Sequence, residues 1–157
     1  MKICLIIPPS PFLLDERVFV QLGILKIAAS LEQQNYSVDM IDLSGVENYI
    51  DVLNDYISTP TRASVFGITA TTPQVPYAVK IGQFLKNKMP GDVSKVILGG
   101  PHVTLMHTAA KREAAKNFVG SNRAHKDVEC LKQYFDVLVC GDGELAIFDA
   151  ITTNEKV

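Results

Sequence analysis

Four short segments of this 157-residue chain concentrate glycines and hydroxyls: Pro8-Pro9-Ser10-Pro11-Phe12-Leu13-Leu14, Gly67-Ile68-Thr69-Ala70-Thr71-Thr72-Pro73, Gly99-Gly100-Pro101-His102-Val103-Thr104 and Cys140-Gly141-Asp142-Gly143-Glu144. Gly99-Gly100 carry no side chains to obstruct a close-approaching ligand. Thr69, Thr71, Thr72 and Thr104 supply donors and acceptors without charge. That chemistry suits a large, flat, mostly neutral ligand bearing amides better than a polyphosphate. For any one loop alone, the glycines could simply make tight turns. Three such loops on one edge favour the ligand.

Rival ligands are removed by what the segments lack. No GxGxxG follows the first apolar run, and no GxxxxGK[ST] phosphate loop occurs. A flavodoxin phosphate loop needs amide donors where this chain has three prolines. A receiver needs an acidic cluster around a phosphorylatable Asp, yet the first run ends in prolines and the third in Thr69. Cys4, Cys130 and Cys140 are widely spaced with no CxxC pair, against a disulfide framework and a closed zinc site. Fifteen Lys and Arg against 17 Asp and Glu, a net charge of -2, give no basic footprint for nucleic acid. The apolar run before Pro8 is too short for a secretory signal, and nothing reaches the roughly 18 apolar residues a membrane span needs. A cytoplasmic, single-domain protein of 1–157 is expected, with no nucleic-acid or membrane partner.

The elements that must position these segments alternate. Ile3–Ile7, Ser64–Thr69, Lys95–Leu98 and Asp136–Cys140 read as strands buried on both faces. Val38–Leu43, interrupted by Asp39 and Asp42, reads as an edge strand. Helical spacing runs over Val18 to Gln34, with Asn35 as a stop, over Val46 to Ile57, and over Val75 to Lys88 with Pro76 in the first turn. The β-α rhythm predicts an α/β, flavodoxin-like (Rossmann-like) parallel sheet of five strands, order 2-1-3-4-5, with helices on both faces. The stretch from Thr104 to Tyr134 is about twice a normal crossover and reads as a helical insertion, two helices broken near Gly120. In such sheets ligands bind outside the carboxyl ends of the strands, where the four segments fall.

In order, these residues resemble the N-terminal cobalamin-binding domain of cobalamin-dependent radical S-adenosylmethionine enzymes, the group that includes the anaerobic magnesium-protoporphyrin ester cyclases. The resemblance rests on Ile3–Ile7 followed by Pro8-Pro9, Gly23-Ile24-Leu25 with Ala28, Asp42, Gly67-Ile68-Thr69, Gly99 to Thr104, and Asp136 to Glu144. It covers residues 1 to about 150. Two departures matter. Residues 8–23 contain no His, so the Asp-x-His-x-x-Gly motif whose His ligates cobalt in other cobalamin domains is missing, although Asp15 and Gly23 are present. No CxxxCxxC motif for an iron–sulfur cluster occurs either.

The resemblance implies a module that holds cobalamin base-off, its nucleotide tail against the sheet and its corrin over the strand ends. The implied cofactor-binding residues are Pro9, Ser10, Thr69, Ala70, Thr71, Thr72, Gly99, Gly100, His102, Thr104, Gly141, Gly143 and Glu144, with no catalytic residue and no protein metal ligand. S-adenosylmethionine and a [4Fe–4S] cluster would belong to a parent enzyme performing methyl transfer or related radical chemistry. Its radical domain would be a partner in cis or on a separate chain, with this chain an excised fragment or a member working with another, not catalytic alone. His102 could sit over the corrin or be a turn residue. His107 and His125 read as surface, Lys111-Arg112 as a wet helix face, and Asp142 and Glu144 as caps of the last helix. Two other readings stay open: a docking domain that no longer binds cobalamin, and a site for another small ligand such as a nucleotide.

Overall fold

The computed structural model describes residues 1–18, 20–115 and 122–153. Five strands, β1 (Lys2–Ile7), β2 (Ser37–Asp42), β3 (Val65–Thr69), β4 (Lys95–Gly99) and β5 (Val137–Leu138), form one sheet. Its order is β2-β1-β3-β4-β5 and every pairing is parallel. The helices are α1 (Leu22–Gln33), α2 (Tyr49–Ile57), α3 (Val75–Lys88), α4 (Pro101–Ala115), α5 (Arg123–Leu131) and α6 (Gly143–Thr152), with a 3-10 turn at Thr72–Gln74 before α3. This is the expected flavodoxin-like order, with β2 as the half-exposed edge.

Side-chain alternation along the strands splits the core into two layers. Cys4, Ile6, Phe66, Ile68, Val96 and Leu98 face α2, α3, α4 and α5, and pack on Leu53, Ile81, Leu85, Val103, Leu131 and Phe135. Ile3, Leu5, Ile7, Val65, Ile97 and Val137 face only α1 and α6, meeting Ile24, Ala28, Leu31, Ile147, Ala150 and Ile151. Among the described residues, no helix is long and apolar enough to cross a membrane.

Several boundaries differ from expectation. The first helix begins at Leu22 rather than Val18, because the preceding loop is tied elsewhere. The Glu16 carboxylate accepts hydrogen bonds from the Ser10 and Gly45 amides, and Arg17 Nε donates to the Ser44 carbonyl at 3.2 Å. Asn35 stops this helix as expected, in the left-handed region at φ 62°. The second helix starts at Tyr49, three residues after Val46, which instead closes a turn onto Leu43. β5 keeps two ladder residues, yet Asp136 and Val139 still donate to Val96 and Leu98 of β4. The segment from Gly99 to Thr104 is not one loop. Gly99 ends a strand, Gly100 turns the chain, and Pro101 opens α4, where its fixed φ suits the first turn. In the stretch expected to be a helical insertion, α4 and α5 pack together, and α4 starts at Pro101 rather than Thr104; the break expected near Gly120 lies outside the described residues.

Candidate functional site

At the carboxyl end of the face covered by α1 and α6, the middle strands run out of side chains. β3 presents Val65, Gly67 and Thr69 to this face, and β4 presents Lys95, Ile97 and Gly99. Their register sets Leu5 beside Gly67, Gly67 beside Ile97, and Thr69 beside Gly99. Large side chains at Gly67 and Gly99 would fill the gap between the sheet and the helices. Glycine leaves a cavity of about 710 Å³. Leu5, Gly67 and Ile97 form its floor, Ile24 and Ile27 of α1 one wall, and Val139 and Ile147 the other.

Polar side chains gather at the carboxyl edge. Gln21 sits at the start of α1, Thr69 at the end of β3, Thr104 in α4, and Asp142 and Glu144 at the start of α6. Lys26 and Glu144 pair across the opening at 3.6 Å, an exposed contact of little energetic weight. The Thr69 hydroxyl has no hydrogen-bond partner among the described residues and is free for a ligand. Thr104 is already engaged: its hydroxyl donates to the Gly100 carbonyl and accepts from the Gly141 amide at 3.0 Å, tying α4 to the turn before α6. Asp142 occupies the cap position of α6 without making a side-chain capping bond, and Glu144 lies in the first turn.

Of the residues expected to bind a cofactor, Thr69, Gly99, Gly100, Thr104, Gly141, Gly143 and Glu144 line this cavity. The other six are not in its lining. Pro9 is buried, and Ser10 is 4% exposed with its hydroxyl accepting from Gln74 Nε2. Gln74 also donates to the Pro8 carbonyl, while its Oε1 accepts from the Thr71 amide and hydroxyl. One buried amide thus joins the loops after β1 and β3. Ala70 donates to the Gly99 carbonyl and accepts from the His102 amide. His102 is 4% exposed in the first turn of α4, its Nδ1 3.1 Å from Thr72 Oγ1 and its Nε2 2.9 Å from Asp127 Oδ2. It is neither a turn residue nor in the cavity wall.

Gly100 needs a different explanation from the one expected. A Cβ there would lie 2.7 Å from the Ala70 nitrogen and 2.7 Å from Thr69 Oγ1, at a φ of 102°. The close neighbour that forbids a side chain is the protein's own backbone. Gly99 and Gly23 behave differently: a Cβ at Gly99 meets Val139 at an ordinary 3.7 Å, and one at Gly23 meets nothing. Sequence reading also missed the α1 residues Gln21, Lys26 and Ile27. They lie a helix turn back from the loops searched, and only the pairing of α1 with α6 over one face brings them to the cavity.

Burial pushes the Cys4 thiol up to about 12, and burial also raises Cys140. Among the described residues, no group of three or more His, Cys, Asp and Glu side chains is placed to hold a metal ion.

A doubly wound sheet with an apolar cavity opening at its carboxyl edge is the architecture of a small-molecule or cofactor module. The family model of the B12 binding domain matches residues 16–124, and the chain belongs to that family. Cobalamin is the ligand this membership supports. The residues are compatible with it: the cavity has an apolar floor able to take a flat aromatic group, and Thr69 and Gln21 offer hydrogen-bonding groups in its lining. The matched span leaves out β1 and α6, which supply Leu5, Gly143, Glu144 and Ile147 to the cavity. No curated protein matches the chain, and no solved structure does.

Proposed function

We propose that this chain is the cobalamin-holding module of a radical S-adenosylmethionine enzyme, binding cobalamin base-off with its nucleotide tail in the cavity between α1, α6 and the sheet. The trough over Gly67, Thr69 and Gly99 carries this reading, because it opens where the corrin would lie, across the strand ends. Bound cobalamin would supply a cobalt centre able to carry a methyl group. The chain's own residues bind and orient it. Leu5, Ile97 and Ile147 exclude water from the tail, Thr69 offers a hydrogen bond at the opening, and Lys26 and Glu144 flank the rim.

The absence of histidine from residues 8–23 supports a cobalt without a protein nitrogen ligand. Both ring nitrogens of His102 are occupied by Thr72 and Asp127, which supports the same reading. The [4Fe–4S] cluster and S-adenosylmethionine belong to a radical domain, in cis or on a separate chain, that covers the carboxyl edge. The exposed apolar side chains Phe12, Leu14, Leu22, Leu105 and Leu145 near this edge support such a cover.

Titration with hydroxocobalamin, followed in the visible spectrum, tests the module. Saturable binding with a base-off spectrum is expected, and no spectral change would sink it. Electron paramagnetic resonance of the cob(II)alamin form tests the ligation. Lines without nitrogen triplets are expected; triplets that vanish in His102→Ala would reverse the ligand assignment. Anaerobic reconstitution with iron and sulfide should leave this chain without stoichiometric cluster absorbance and without 5′-deoxyadenosine production.

A further inference from the structure

We propose that the cavity selects among cobamides by their lower base, taking one with an apolar-edged benzimidazole and disfavouring one with a purine. This rests on the reading that the nucleotide tail occupies the cavity. The distribution of polar groups around the cavity carries the inference. Its polar side chains are Gln21, Lys26, Thr69, Thr104, Asp142 and Glu144; five belong to the carboxyl edge or the first turns of α4 and α6, and Lys26, in the second turn of α1, keeps its side chain 71% exposed. The inner end is closed by Leu5, Ile97, Ile27 and Ile147, none with a donor or acceptor on its side chain.

Backbone groups do not make up the lack. Leu5, Gly67 and Ile97 lie inside the ladders joining β1, β3 and β4, so their amides and carbonyls are directed to neighbouring strands. Ile27 and Ile147 lie inside helices, where the same groups bond along the helix. A base inserted here meets hydrocarbon at its leading edge. The six-membered ring of 5,6-dimethylbenzimidazole, remote from the ribose, carries two methyl groups, which gain by leaving water. The corresponding ring of adenine carries an amine and ring nitrogens, which would give up water with no partner in exchange. The site therefore discriminates against the purine by a buried polar mismatch.

The test compares three corrinoids in their aquo forms on the full chain: cobalamin, its analogue with adenine as lower base, and cobinamide, which lacks the nucleotide. Equilibrium dialysis at neutral pH reads the affinities. Cobalamin should bind at least tenfold more tightly than the adenine analogue, and cobinamide more weakly than cobalamin. Equal affinities for the two complete corrinoids, both above cobinamide, would overturn the selectivity and leave the tail in the cavity. Cobinamide binding as tightly as cobalamin would remove the tail from the cavity and this inference with it. Binding of none of the three would overturn the cobalamin reading as a whole. Ile97→Thr, or Ile147→Thr should the first variant not fold, places a hydroxyl at the inner end and should shrink the ratio between the complete corrinoids at least threefold. An unchanged ratio in a folded variant would show that the discrimination arises elsewhere.

Discussion

The two faces of the sheet are built from the same strands and have opposite character. Toward α2, α3, α4 and α5, the middle strands send Phe66, Ile68, Val96 and Leu98, all 3% exposed or less. A Cβ on Gly82 of α3 would already stand 3.1 Å from the Phe135 ring, so that layer has no slack. Toward α1 and α6, the alternate positions are Gly67, Thr69 and Gly99, and space is left. A single strand, Val65–Thr69, thus carries packing and ligand space at successive residues. One layer supplies the folding free energy that lets the other remain unfilled.

The strongest way to break this contrast is to empty the filled side. Phe66→Ala should cost about 3–5 kcal/mol, the usual loss for a buried aromatic replaced by alanine. Denaturant unfolding measures it, and a loss under about 1 kcal/mol would mean that this layer is not close-packed.

Filling, rather than emptying, should separate the faces most cleanly. Ala78 on α3 is fully buried, so Ala78→Leu should destabilise by about 1–3 kcal/mol through overpacking. Gly99→Ala adds a methyl that meets Val139 only at ordinary contact distance, at a backbone angle open to any residue. It should change stability by less than about 1 kcal/mol, while lowering hydroxocobalamin affinity at least tenfold. Equal destabilisation by both variants, with unchanged affinity, would show that the trough is not the binding surface. Gly100→Val is a poor substitute, because its side chain would collide with Ala70 and confuse folding with binding.

This contrast also explains what could be read from the chain alone. The strand order was readable, because five branched runs alternate with helical spacing, the rhythm of a flavodoxin-like sheet, and the interrupted Val38–Leu43 run fits its edge. Gly99, Thr69 and Gly143 were readable as candidates that the structure places in the cavity lining, because they fall at strand ends or the turns beyond them. Leu5, Ile97 and Ile27 were not, since an apolar residue facing a cavity and one facing core look alike in sequence. The surroundings of His102 were hidden for another reason. A histidine beside two glycines suggests a ligand contact, yet its partners Thr72 and Asp127 lie 30 and 25 residues away. Long-range pairing of that kind is invisible to spacing.

The dry side should also show itself in alkali. Cys4 belongs to the filled layer, and its burial raises the thiol to about 12 from an ordinary 9.0. Between those values, the unfolded chain releases the proton and the folded chain keeps it. Stability is therefore fully present below about pH 9 and falls as pH rises toward 12, at up to about 1.4 kcal/mol per pH unit. Tyr56 is also raised, chiefly by burial and by its hydrogen bond to Asp39, and acts in the same direction. Unfolding measured from pH 8 to 10.5 should slope less steeply in Cys4→Ala. Thiol labelling near pH 8 should modify exposed Cys130 well before Cys4. Identical slopes in the two proteins would mean that Cys4 ionises in the folded state as it does in water.

The smallest expected effect is the sharpest test of whether the faces are independent. His102 stands at the start of α4, two residues from Thr104 in the cavity wall, but its ring points to Thr72 and Asp127. Asp127→Asn keeps an acceptor for Nε2 and removes only the charge of a partly exposed carboxylate, so stability should fall by less than about 1 kcal/mol. If the ring serves only to anchor α5 to α4, hydroxocobalamin affinity and the cobalt resonance lines should match those of the unaltered chain. A tenfold fall in affinity with stability intact would show that the charge is felt at the ligand. The route available is short, since the His102 amide donates to Ala70, Ala70 donates to Gly99, and Gly99 lines the trough. Such a result would make His102 a positioning residue for the strand-end backbone, and the boundary between the two faces would then pass through α4 rather than along the sheet.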